Sequence, residues 1–419
     1  MSKLVNKIVA VATIATAVMV PSFAFAQTAA VVCPDYKKPP TNIPSERTGK
    51  KVQKAFEAYN NDQVEEALNL LYEIDTSQTF DRAFTDRFIG NLLATKEGSA
   101  PKALDYLLKA VKPNVLNDTE QASTMRLIAD LSMQEKQYDN AISYYQQWMD
   151  YTCKQDPDIY TRITQAYYET KQLDKMVSPA DKAIKLYEKP NKNPYLLKMT
   201  SFYERKMYPE TIKVAEELVR LFPDNKSYWT QLGFFYMLVE DYKKALSTFE
   251  MAYDQGYLTK SSEIKALAQL YATNSIPYKS AVIQEKYLKE GLIKREESSL
   301  SALANTWHQA KNLVKAADYY GQAAELSGDA DHYRKQGILL LAAEKYKEAK
   351  KVLNIALEKS TEDLGRIHMA LMEASFYTGD YKAAYAHVLE AKQDKSTARS
   401  ARSWEPYIKE KAKNRGIKL

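Results

Sequence analysis

Four residue types are scarce in this chain of 419: glycine (12), proline (15), histidine (4) and cysteine (2). So little Gly and Pro excludes collagen-like and low-complexity chains and disfavours an all-β fold with many turns. The four histidines, His308, His332, His368 and His387, form neither a His-x3-His nor a His-Glu-x-x-His pattern, and Cys33 and Cys153 have no paired ligand spacing. Each histidine therefore reads as structural or superficial. No Cys-x-x-Cys points to disulfide exchange. A phosphate loop is missing too, since Gly49-Lys50 lacks the earlier glycine and the following hydroxyl residue, and there is no Gly-x-Ser-x-Gly elbow. The composition does hold 45% hydrophobic and 27% charged residues, as in a soluble folding chain, and 31 Tyr against 12 Phe and 4 Trp. No enzyme chemistry and no cofactor is expected.

One long apolar run stands out. Lys3 and Lys7 precede an apolar stretch from Ile8 to Val20, followed by Pro21 and by Ala24-Phe25-Ala26. A positive start, a short apolar region and an Ala-x-Ala site read as a secretory leader over residues 1–26. The run is short of the roughly 20 residues that a lasting membrane helix needs; an uncleaved anchor is the competing reading. Export to the periplasm is the expectation. In that oxidising compartment Cys33, in a Pro-rich lead-in (27–49) with Pro34, Pro39, Pro40 and Pro44, is a candidate for a disulfide with Cys153. One buried and one surface thiol is the alternative.

The most specific pattern runs from 229 to 252: Trp229, Leu232, Gly233 and Tyr236, then Ala245, Phe249 and Ala252. Leu232, Gly233 and Tyr236 share one face of a helix A. Gly233 admits a close neighbour, and Ala245 is the small residue of a facing helix B, with Phe249 and Ala252 directed toward the following pair. The same small position recurs near Ala67, Ala103, Ala141, Met176, Thr211, Ala245, Ala281, Ala316, Ala349 and Ala384, in steps of 33 to 38 residues, with Gly337 repeating the glycine of helix A. Met176 and Thr211 replace the small residue and should splay a pair or shift its register. Pro101 suits a first helical turn. Pro277 marks a turn, and Pro179 is comfortable only where a helix starts beside it.

Residues 50–395 thus resemble the tetratricopeptide repeat family, with Trp229, Leu232, Gly233, Tyr236, Ala245, Phe249 and Ala252 as the closest match to its W-x2-LG-x2-Y…A-x3-F-x2-A pattern. The resemblance implies an all-α solenoid of about ten antiparallel helix pairs, curved into a superhelix whose concave groove holds a protein or extended peptide. Tyr160, Tyr195, Tyr203, Tyr228 and Tyr271 are the candidate groove residues, because tyrosine joins apolar area to a hydroxyl. Crowded prolines make 177–195 a hinge candidate; one continuous array is the other possibility.

Residues 396–419 read as a basic capping helix and tail. Ser403 would begin the helix, Trp404, Tyr407 and Ile408 would form its apolar side, and Gly416 would end it. Eight basic and two acidic residues fall between 395 and 419. This cluster suits peripheral contact with anionic lipid, an acidic partner, or simple solvation. Nucleic acid is not an expected partner of an exported chain. The layout of leader, cysteine-bearing lead-in, repeats and basic end is also similar to exported repeat proteins that accompany a second TonB-ExbB-ExbD system in marine gammaproteobacteria. That likeness implies a scaffold for TonB or ExbB-like components in the transport of iron complexes. The alternative class is a binding module for cell-wall or polysaccharide machinery.

Overall fold

The computed structural model describes residues 31–419, so the leader assigned to residues 1–26 lies outside the described residues. The chain divides into two compact units, the first ending at Pro223 and the second beginning at Asp224. All regular structure among the described residues is helical.

The first unit holds five antiparallel pairs: α1 (Glu46–Asn60) with α2 (Val64–Tyr72), α3 (Thr79–Thr95) with α4 (Ala100–Val111), and α5 (Asp118–Gln134) with α6 (Tyr138–Thr152). The next two are α7 (Pro157–Glu169) with α8 (Val177–Leu186), and α9 (Lys192–Glu204) with α10 (Tyr208–Leu221). The second unit holds α11 (Lys226–Leu238) with α12 (Tyr242–Asp254), α13 (Ser261–Thr273) with α14 (Pro277–Lys289), and α15 (Glu297–Gln309) with α16 (Leu313–Ser327). It ends with α17 (Ala330–Ala342) and α18 (Tyr346–Lys359), α19 (Leu364–Tyr377) and α20 (Tyr381–Ala391), and a last helix α21 (Ala398–Asn414). Odd-numbered helices up to α19 take the helix A position and even-numbered ones the helix B position. Within each unit every helix packs on its partner, and each pair packs on the next chiefly through its helix B, the arrangement of a tetratricopeptide-like solenoid.

Side-chain size explains the pairing. All ten positions of the small-residue frame, from Ala67 to Ala384, are completely buried, nine of them on helix B and Met176 in the turn just before it. On helix A, Gly90, Gly233 and Gly337 each receive a side chain from their own partner helix. A Cβ on them would stand 2.5 Å from Leu107, 2.4 Å from Phe249 and 2.5 Å from Leu353 respectively. Phe249 thus fills the space above Gly233 within its pair, edge-on to Phe234 at 5.2 Å, and is not directed to the following pair. The closeness that Gly233 permits is used by a ring, not by bare backbone.

The turns between A and B repeat as well. One left-handed residue sits in each: Asp62, Gly98, Lys136, Lys171, Lys206, Glu240, Ser275, Lys311, Glu344 and Gly379, with φ between 59° and 80°. In nine of them the next residue's N–H donates to a carbonyl five residues back, as Asp241 does to Tyr236 at 2.9 Å and Asn312 to Trp307 at 2.9 Å, so the last turn of helix A closes on itself.

The two departures in the frame behave differently. Met176 ends a 3₁₀ turn (Leu173–Met176) that precedes α8. Pro179 lies in the first turn of α8, and its missing N–H leaves the Lys175 carbonyl without an α-helical bond, so the helix starts late. At Thr211 no irregularity arises: α10 is unbroken and the hydroxyl donates to the Met207 carbonyl at 2.9 Å. Pro101 and Pro277 both fall in first turns, of α4 and α14. The 177–195 stretch lies inside the first unit, where α7, α8 and α9 pack on one another.

At the lead-in, α1 begins at Glu46. Residues 31–45 run without helix across the loops that join successive pairs. Cys33 and Cys153 are bonded, with their Cα atoms 4.9 Å apart, and the Val32 N–H donates to the Thr152 carbonyl at 2.9 Å. Nine residues on, Asn42 and Asn117 exchange bonds: the Asn42 N–H donates to Asn117 Oδ1 at 2.8 Å, and Asn117 Nδ2 donates to the Asn42 carbonyl at 3.1 Å. Ser45 then donates to Asp81 from its N–H at 2.9 Å and from its hydroxyl. The arm therefore ties the end of α6, the start of α5 and the first turn of α3 together.

The last helix begins at Ala398, five residues before the Ser403 start that the sequence suggested. Ser403 is inside the helix, its hydroxyl donating back to Arg399, and Pro406 sits there too. Packing of Ala401, Ile408 and Ala412 on the α19–α20 pair outweighs the missing proline donor. Gly416, with φ 69°, ends the helix as expected.

Candidate partner-binding surface

A helix A in such a stack touches its own partner, the preceding helix B and the next pair, so most of its circumference is covered. This corrects the groove reading of Tyr160, Tyr228 and Tyr271, which are only 6%, 5% and 7% exposed. The Tyr160 hydroxyl donates to Gln155, and the Tyr271 hydroxyl donates to Glu250 Oε1 at 2.8 Å. Burial, then that hydrogen bond, pushes the Tyr271 phenol well above its ordinary range. Tyr195 and Tyr203 are half-buried, and Tyr203 lies 6.2 Å from the ring of Tyr208. They alone of the five keep ring area in reach of a partner. Of the packing residues, Leu232, Gly233, Tyr236, Ala245, Phe249, Ala252, Gly337, Ala349 and Ala384 are all buried, while Trp229 is half-buried.

Polar side chains link the helix A faces of α5 and α7. Arg126 of α5 pairs with Asp156, the residue that caps α7, at 2.6 Å, and its guanidinium lies 5.3 Å from the Trp148 ring. Asp130, one turn further along α5, accepts from the buried Tyr145 hydroxyl at 2.5 Å and pairs with Arg162 of α7 at 3.4 Å. Burial alone would raise the Asp156 carboxyl, but the hydrogen bond and charge of Arg126 bring it below the usual range. Tyr145 shifts the other way: burial, then the Asp130 charge, holds its phenol protonated far above the ordinary range. Further along, the Tyr187 hydroxyl donates to Asp158 at 2.5 Å and is pushed up to about 12 by burial and by that bond. Lys198 of α9 pairs with Asp181 of α8 at 2.6 Å. Arg162, 41% exposed, is the most open charge of the α5–α7 cluster formed with Arg126, Asp130 and Asp156.

The charged groups of this surface are matched to one another. Among the described residues no three His, Cys, Asp or Glu side chains gather where a metal could bind. One shallow polar cleft of about 290 Å³ lies in the second unit between α14 and α16, lined by Glu285, Lys289, Arg295, Lys315 and Tyr319. No described helix is long and apolar enough to cross a membrane.

Two side-chain groupings were not foreseen from sequence. His368 and His387 face each other across the α19–α20 pair with Nδ1 atoms 3.1 Å apart. Their 19-residue spacing around the Gly379 turn was the available signal. The other is the set of contacts made by Asn42 and Ser45, for which spacing gave no hint.

No family model matches the chain, and no curated protein does. Solved structures share the repeat architecture at low identity. The MamA structure from AMB-1 is 18% identical over 41% of this chain and 92% of that one, with a TM-score of 0.33. A tetratricopeptide repeat protein from Parabacteroides merdae is 13% identical over 62% and 99%, at 0.35. The TPR2AB domain of yeast Sti1, in a pHSP90 complex, is 16% identical over 61% and 98%, at 0.34. The fold assignment rests on the helix pairs themselves.

Proposed function

We propose that this chain is an exported, non-catalytic scaffold that holds protein segments on the helix A faces of its pairs, in the bacterial periplasm, as an accessory to TonB-dependent transport of iron complexes. The observation that carries the binding role is the α5–α7–α9 face, where internally matched charges and the half-buried Tyr195 and Tyr203 are displayed on a rigid stack. Such a face suits an extended peptide or a partner helix. The Cys33–Cys153 bond supports an oxidising compartment, as does the leader. The TonB assignment draws on the layout of leader, lead-in, ten pairs and basic end.

A photoreactive amino acid placed at Tyr195 or Arg162, in the native envelope, tests this reading. Crosslinks to TonB, ExbB-like or outer-membrane receptor proteins support it. Crosslinks to cell-wall synthases, hydrolases or glycan would transfer the chain to the alternative class, and exclusive capture of cytoplasmic proteins would remove the location.

A further inference from the structure

The end of the second unit carries a surface that the helix A reading does not use. α21 turns Ala401, Ile408 and Ala412 inward, all essentially covered. Its inward acid, Glu405, is occupied by Lys392 at 2.6 Å and Lys409 at 2.9 Å. The outward side is basic. Arg399, Arg402, Lys409 and Lys413 are exposed and recur at intervals that place them on one stripe, with Glu410 as the acid beside them. Apart from Lys409, none of these four pairs with a carboxylate among the described residues. From Arg399 to Lys413 the stripe is about 21 Å long, at about 1.5 Å per helical residue.

A separate aromatic ledge stands on the other exposed flank of α21. Tyr377 and Tyr407 are 50% and 44% exposed, yet both are held in place. Their rings lie 5.5 Å and 5.1 Å from Phe376, Trp404 braces the same ring at 5.5 Å, and Tyr346 stacks on Tyr377 at 4.7 Å. Exposed rings that are already immobilised offer contact area at little entropic cost.

We propose that this cap face docks an acidic, extended segment of a partner protein, whose carboxylates meet the stripe. Charge complementarity selects the occupant: guanidinium forks match carboxylates, and about 21 Å spans roughly six residues of extended chain. A bilayer fits less well. An interfacial helix must lend its apolar side to lipid, whereas α21 has already buried that side in its own core. The proposal is independent of which complex the helix A faces serve.

The test uses the full chain and a fluorescein-labelled peptide of alternating Asp and Gly, read by anisotropy at about 50 mM salt. The triple variant R399E/R402E/K413E should bind about tenfold or more weakly, while K54E/K102E/K213E, with the same change in charge, stays close to the parent. Tyr407→Ser, altered on the other flank of α21, should bind like the parent. Circular dichroism confirms that each variant is folded, and R399S/R402S/K413S replaces the reversal if it is not. Equal weakening in the cap and control variants would overturn the proposal. So would flotation of the parent chain with vesicles of about 30% anionic lipid when the peptide does not bind.

Discussion

Cys33→Ser severs the covalent end of the lead-in arm, and its cost is set by the chain it encloses. The bond joins residues 120 apart. Closing a loop of that length removes roughly 5 kcal/mol of denatured-state entropy, a ceiling because real denatured chains retain structure. The array changes where this is felt. In a stack whose pairs contact only their neighbours, the bond constrains only those unfolded states in which the span from Cys33 to Cys153 has come apart. The loss should therefore concentrate in α1–α6, and Asn42 and Ser45 should keep the inner end of the arm attached at first. Hydrogen exchange with mass spectrometry along a urea series, on the parent chain, the variant and the reduced parent, resolves this by segment. Lower protection in α1–α6 with α11–α20 unchanged is the expected pattern, and reduction should reproduce it. Equal loss in both units, or none in α1–α6, would refute the reasoning.

The remaining predictions probe the pairs. Gly337→Ala sets a methyl group against Leu353 and should cost about 1–3 kcal/mol, and Leu353→Ala about 2–5, with the double variant less destabilised than their sum in a thermal melt. Lys136→Gly relieves a left-handed residue and should stabilise by about 0.5–1 kcal/mol, a gain absent at a mid-helix site such as Lys350. Burial lowers the pKa of both His368 and His387, and for His387 the charges of His368 and Lys350 add to it. The unfolded chain then binds more protons, so stability of the α19–α20 pair is complete above the unfolded value of about 6.5 and declines as pH falls through the folded values. Melts at a series of pH values should show this slope, and His387→Gln should flatten it. Tyr228→Ala should behave as a core truncation costing about 3–5 kcal/mol, measurable by urea unfolding, and is unsuited to a binding test.

What could be read in advance followed interior size. The alanine frame was legible because helices at close contact tolerate only small side chains, and every frame position proved buried, even where Met176 and Thr211 stand. The turns left no such trace: eight of the ten left-handed residues are Asp, Lys, Glu or Ser, types that also populate ordinary helix surfaces. Tyrosine misled for a related reason. Its hydroxyl can be satisfied inside the stack, as Tyr271 does with Glu250 and Tyr145 with Asp130, so an amphipathic ring on helix A does not reveal whether it faces a partner or a neighbouring pair. The early start of α21 went unread because Ser403 offered a start signal of its own, whereas Ala401, ahead of it, is held in the helix by tertiary burial. The facing histidines needed the register of one whole hairpin, which spacing alone did not supply.

The backward course of the lead-in imposes an order on maturation. Synthesis delivers Cys33 long before Cys153, so the earlier thiol must wait, unpartnered, while the three hairpins it will span emerge and stack. Only then do the loops that carry Val115, Asn117 and Thr152 stand in line to receive the strap. Stacking of the first three hairpins thus holds the two thiols where they can pair, and the bond in turn favours that stack.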